Sequence, residues 1–92
     1  ILAMLHRLFS VHDVKADVYM VPFTEKTIQS ALRLFTDSVR TPDHPFAKHP
    51  EDYTLFLLGS YEDTNATFEL LATPQPLAKA IEILGGDNAN EG

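Results

Sequence analysis

The sequence predicts an α+β fold: a single small domain in the order strand, strand, helix, strand, strand, helix, with a mostly antiparallel sheet and two helices packed on one face. Three observations carry this expectation. Two β-rich runs, "LHRLFSVHD" and "ADVYMVPF", open the chain; apolar residues recur at spacings of three and four from Ile28 to Val39; and the near-continuous apolar run "YTLFLLGSY" is soon followed by "TFELL".

A polar stretch from His12 to Lys15 separates the first two strands, and Pro22 closes the second, because proline cannot donate to a ladder except at an edge or an end. Thr24 offers a hydroxyl to the free N–H groups of a first helical turn, and Glu25 suits the positive end of the helix dipole, so the first helix is expected to start there. Ile28, Ala31, Leu32, Phe35 and Val39 form its buried stripe, with Lys26, Gln29, Arg33 and Asp37 largely on the other side. Pro42 stops it, since the residue before a proline is pushed out of the α region.

In "TPDHPFAKHPED" the two prolines Pro45 and Pro50 deny the chain regular hydrogen bonding, which predicts an ordered loop pinned by Phe46 in the core. The strand that begins at Tyr53 suits a central position covered on both faces. It turns at "EDTNA", where Asp63 and Asn65 tolerate tight geometry, and returns as the partner of a hairpin. The second helix is expected from Pro74 or Pro76 through "LAKAIEIL" to Gly85, burying Leu77, Ala80, Ile81 and Leu84. The domain therefore occupies residues 1–84, and residues 85–92, "GGDNANEG", have nothing to bury and are expected to form a disordered tail.

Ninety-two residues suffice for one compact core and not for two. With 45% apolar and 22% charged residues the composition is that of a globular domain, and no apolar run approaches the roughly 18 residues of a membrane span, so no membrane partner is expected. The absence of cysteine excludes disulfides, thiolate metal sites and a cysteine nucleophile. The apolar start "ILAMLHRLF" lacks a basic leader and a small-residue cleavage site, which makes the cytoplasm the default location. Ile1, Leu2 and Ala3 precede Met4, a candidate natural start.

At "FAKHPEDYTLFLLGSYED", together with "LFSVHDVKADVYMVPF" and "ALRLFTDSV", the chain resembles the small non-structural protein of the gokushovirus-type microviruses, phages with circular single-stranded DNA. The resemblance runs from about Met4 to Leu84. Its specific part is Phe46, Lys48, His49, Pro50, Glu51, Asp52 and Tyr53 followed by Leu55, Phe56, Leu58 and Gly59, in the family's order and spacing; Ser10 to Asp17 adds support. The resemblance implies a protein outside the virion, described as DNA-binding or replication-associated, acting in genome replication or packaging in the cytoplasm of the infected bacterial host. It carries over no catalytic residue and no cofactor.

Charge sets a rival expectation. Seven Lys and Arg against thirteen Asp and Glu give a net charge of −6, which argues against a protein that coats DNA through phosphate contacts. A local basic surface from Arg7, Lys15, Lys26, Arg33, Arg40 and Lys48 would serve single-stranded DNA, with Tyr19, Phe23, Tyr53 and Tyr61 as stacking platforms. The alternative is a protein-interaction module that binds a phage or host replication protein and never touches nucleic acid. Self-association is a third expectation, because "YTLFLLG" and "VYMVPF" carry few charges to block edge pairing, which points to a homodimer.

No enzyme is expected. Ser10, Ser30, Ser38 and Ser60 stand in no recognised nucleophile motif, and the glycines form no phosphate-cradling pattern. Asp43, His44, His49, Glu51 and Asp52 are metal-ligand types, yet their spacing on a proline-broken loop matches no set geometry. They are read as a structural turn, with no metal, in which His49 and Asp52 bond the loop backbone and fix the entry of Tyr53 into the sheet.

Overall fold

The structure, a computed structural model, describes the backbone of residues 4–91 and the side chains of residues 4–85. Strands β1 (Leu5–Asp13), β2 (Val18–Tyr19) and β3 (Phe23–Glu25) precede helix α1 (Ile28–Val39). A short helix α2 (Pro45–Lys48) and a 3-10 turn (Pro50–Asp52) then lead into β4 (Tyr53–Glu62), β5 (Thr67–Lys79) and α3 (Ala80–Glu91). The strands form an antiparallel sheet in the order β2-β1-β4-β5, with β3 also paired to β1. The fold is α+β, as the sequence predicts.

Period-two alternation sorts the sheet into two faces. Phe9 lies opposite Leu57 and Val11 opposite Leu55, so these four side chains share one face. They are buried under Ala31, Phe35 and Val39 of α1, Phe46 of α2 and Ala80 of α3. The stripe expected on α1 is therefore the stripe that packs, with Ile28 and Leu32 partly buried at its margins.

Four boundaries differ from the sequence expectation, each for a local reason. Thr24 is drawn into β3 opposite Leu8, so the cap falls three residues later, where the Thr27 hydroxyl accepts from the Ser30 N–H at 3.0 Å. The expected second strand is split into β2 and β3 around Pro22, which has no N–H to give a ladder. The proline-broken loop contains helical turns, since proline is pre-set for the first turn of each. Pro74 and Pro76 lie inside β5 and the helix begins only at Ala80. Pro74 and Pro76 are two residues apart on an edge strand, and a ladder accepts them there only with their ring nitrogens turned to the open side.

The later start also turns α3. Ala80 is buried while Ile81, expected in its buried stripe, is exposed and Ile83 packs instead. The backbone of α3 continues past Gly85 to Glu91; the disordered tail expected over residues 85–92 falls mostly on side chains, and on residue 92, that lie outside the described residues, as do Ile1, Leu2 and Ala3. The strand "YTLFLLG" is central, paired on both sides, so the edge pairing expected of it has no free edge to use.

One irregularity organises the rest. Leu57 pairs with Phe9 and Gly59 with Leu8, which leaves Leu58 as an extra residue in β4. The bulge reverses the alternation, so Tyr61 emerges beside His6 on the face away from the helices. Gly59 is required there, because a Cβ would collide with the Glu69 carbonyl and the Leu70 Cα of β5.

Phe35 is 2% exposed and its ring lies 5.5 Å from that of Phe46. Truncation in Phe35→Ala is expected to cost about 3–5 kcal/mol, a large part of the stability of so small a domain. Urea unfolding followed by circular dichroism measures it, and a midpoint near that of the parent protein would mean that α1 does not hold the core.

Candidate functional site

The face of the sheet away from the helices is not polar, as the solvated side of an antiparallel sheet ordinarily is. His6, Leu8, Ser10 and His12 alternate onto it from β1, and the rings of neighbouring strands gather around the two histidines. At one end His12 lies against Tyr19, with centroids 4.6 Å apart, and Tyr19 meets Phe56 edge-on at 5.4 Å. At the other end His6 lies 6.2 Å from Tyr61, and Tyr61 lies 4.9 Å from Phe68. Tyr19 and Phe68 are the outward rings, 47% and 57% exposed.

Each cluster is tied to a tight turn. Asp17, with a φ of 57°, ends the β1–β2 turn and brings Oδ1 to 3.3 Å from His12 Nε2; the turn itself is held by Asp13 Oδ1, which accepts from the N–H groups of Lys15 and Ala16. In the β4–β5 turn Asp63 places Oδ2 3.1 Å from His6 Nε2, while its Oδ1 accepts from the Met4 N–H at 3.1 Å. The hydrogen bond from His6, opposed by some desolvation and aided by the Met4 N–H, holds the Asp63 carboxyl below the usual carboxylate range. Ser10, fully buried on this face, donates to the Met20 carbonyl at 2.6 Å.

The expected stacking residues divide. Tyr19 and Tyr61 belong to the two clusters, whereas Phe23 stacks on Phe9 and Tyr53 packs against Phe46, both toward the helix layer. His6, His12, Phe56 and Phe68 were not anticipated, although the even spacing of His6 and His12 is the signal that one strand face carries both.

The six basic residues do not gather on this face. Arg7 alternates to the helix side opposite Glu25, Lys26 precedes α1, Arg33 is exposed on α1, Arg40 caps it and Lys48 ends α2. Lys15 sits in the β1–β2 turn, lining a hollow with Asp13, His49, Asp52 and Tyr53. Lys79, absent from the sequence-based set, pairs with Thr54, which also pairs with His12, so one row across the aromatic face reads Tyr19, His12, Thr54, Lys79.

The motif residues from Phe46 to Tyr53 build the turn beneath the helices. His44 Nδ1 accepts from the Phe46 N–H at 3.1 Å and its ring lies 4.4 Å from that of Phe46, which caps α2 and leaves His44 apart from the other ligand types. The Asp52 N–H donates to the His49 carbonyl, and the Asp52 carbonyl accepts from the Val14 N–H at 2.9 Å, joining this turn to the β1–β2 turn. Burial first, then the carboxylates of Asp13 and Asp52, raises the Tyr53 hydroxyl above the usual tyrosine range. Among the described residues, His49, Glu51 and Asp52 bring one ligand atom each within 4.8 Å of one another, with Lys15 lining the same hollow.

The model of the phage ORF5 protein family matches residues 6–83, nearly the whole described chain and both aromatic clusters. No curated protein and no solved structure matches the chain.

Two outcomes follow from this geometry. Because the Asp63 carboxyl is lowered in the folded state, its stabilisation is present above the unfolded pKa near 3.8 and is lost as pH falls through the lower folded value. Asp63→Asn is thus expected to lower the urea midpoint slightly at pH 7, with the gap closing in acid; a gap that persists below pH ~3 would exclude this linkage. Excess zinc or manganese is expected to leave the melting temperature unchanged, and a rise abolished by His49→Ala would make the triad a metal site.

Proposed function

Because the chain belongs to the phage ORF5 protein family, we propose that this phage accessory protein is a non-structural factor of a gokushovirus-type single-stranded DNA phage that holds single-stranded DNA during genome replication or packaging, in the cytoplasm of the infected bacterium. The observation that supports this most is the pair of aromatic clusters on the helix-free face. Exposed rings accept bases of any sequence by stacking, each worth about 1–3 kcal/mol, and need few cations.

The charge balance then sets the style of binding. A net charge of −6 argues against coating DNA; Lys79 lies in the His12 row two strands from His12, and Lys15 stands in the β1–β2 turn. Two phosphate contacts on a single strand predict a shallow salt dependence, a slope of roughly −1.4 in log–log form. Binding carried mainly by rings should survive near-physiological salt.

A second reading has its own observation. Between α1 and residues 20–25 runs an apolar groove of about 460 Å³ over Phe35 and Phe46, walled by Met20, Val21 and Leu34, with Val21 87% exposed. Such a groove suits an apolar side chain of a phage or host replication protein, or of a second copy of this chain.

Fluorescence-anisotropy titration of labelled phage single-stranded DNA at low and near-physiological salt tests the first reading. Binding is expected at both, weakened about tenfold by Tyr19→Ala and by Lys79→Glu and unchanged by Arg33→Glu. Loss with Arg33→Glu instead would move the interface to the helix layer. No binding at either salt would favour the groove and a protein partner.

A further inference from the structure

The two aromatic clusters do not form one continuous platform, and their separation has a consequence for the length of strand they would engage. His6 and His12 are six residues apart on β1, which is about 20 Å of strand. Tyr19 lies one strand to one side of β1 and Phe68 two strands to the other, a lateral offset of about 14 Å at ~4.8 Å per strand. The outward rings are therefore about 25 Å apart on a diagonal across the helix-free face.

The stretch between them offers no ring to stack upon. Ser10 is buried and bonded to Met20, Leu8 is nearly covered, and Gly59 presents no side chain. Beside Phe68 a hollow of about 520 Å³ opens, floored by Leu8 and edged by His6, Pro22 and Tyr61, wide enough to seat a base against the ring. At the other end Lys79 stands in the same cross-strand row as Tyr19, three strands away and about 14 Å from it. The acids near each ring, Asp17 and Asp63, are engaged by His12 and His6.

From this spacing the geometry points to a two-point clamp for a short single strand: one base on Tyr19, another on Phe68, and about four nucleotide steps between them at ~6 Å per stretched step, or about five nucleotides in all. The inference rests on the single-stranded DNA reading above and adds to it the site size and the indifference to the bases in the middle. Linking two weak stacking contacts through one strand makes the second contact intramolecular, so affinity should rise in a step once the strand is long enough to reach both rings.

The test is a length series of oligothymidylates from two to ten nucleotides, titrated at low salt against the intact protein, beside a seven-nucleotide strand whose central positions are abasic. Affinity is expected to rise at least about tenfold as the strand lengthens past four or five nucleotides and then to flatten, with the central abasic strand binding like the full one. Tyr19→Ala and Phe68→Ala, each at a half-exposed ring and checked for an unchanged circular dichroism spectrum, should each remove the step and leave the weak binding of the shortest strands. A smooth rise without a step, loss of binding on removing the central bases, or a step that survives both substitutions would overturn the clamp while leaving DNA binding in place. No binding at any length, nor to long phage single strands, would instead overturn the DNA reading itself, and the clamp with it.

Discussion

Everything else in this protein hangs on the antiparallel pairing of β1 with β4 and on the four side chains it sets in one plane. Phe9, Val11, Leu55 and Leu57 are buried in one cluster with side chains of α1, α2 and α3. Among the described residues this one cluster carries the core of a small domain. The pairing also joins distant parts of the chain, so the loss of chain entropy on closing it must be offset by this one apolar layer.

The bulge at Leu58 lets the same two strands serve two purposes. Before it, β4 sends Leu55 and Leu57 into the core; after it, Tyr61 crosses to the open face and joins His6. A strictly alternating strand would have placed Tyr61 over the helix side, at an end of the sheet that the helices do not cover. Gly59 makes the crossover possible, since any side chain there would strike the backbone of β5. The edge strands show a complementary arrangement: β2 and β3 are short and split by Pro22, and the second half of β5 carries Pro74 and Pro76, so pairing along most of either edge is disfavoured.

This division of labour gives a chemical account of an acidic phage protein whose described basic residues are spread over several elements. The helix layer carries Lys26, Arg33, Arg40 and Lys48 among acids, where they keep the surface solvated, while the open face carries rings, histidines held by aspartates, and few cations. On the reading proposed above, such a face would engage bases by stacking more than phosphates by charge.

By itself the sequence determined the class of fold, the amphipathic stripe of α1, the hairpin of β4 and β5 and the single core, because these follow from local periodicity and turn chemistry that neighbouring residues carry among themselves. It also held the motif from Phe46 to Tyr53. Where Thr24 and Pro76 ended up was not legible: a good cap and a good first-turn proline were both drawn into strands, since a ladder partner far away in the chain outweighs a local preference of a fraction of a kcal/mol. The aromatic face was decided by tertiary structure alone. His6, Tyr61 and Phe68, or His12, Tyr19 and Phe56, meet only through the register of β1 with its neighbours and the one-residue bulge, and a shift of a single residue would have sent each of them to the opposite side.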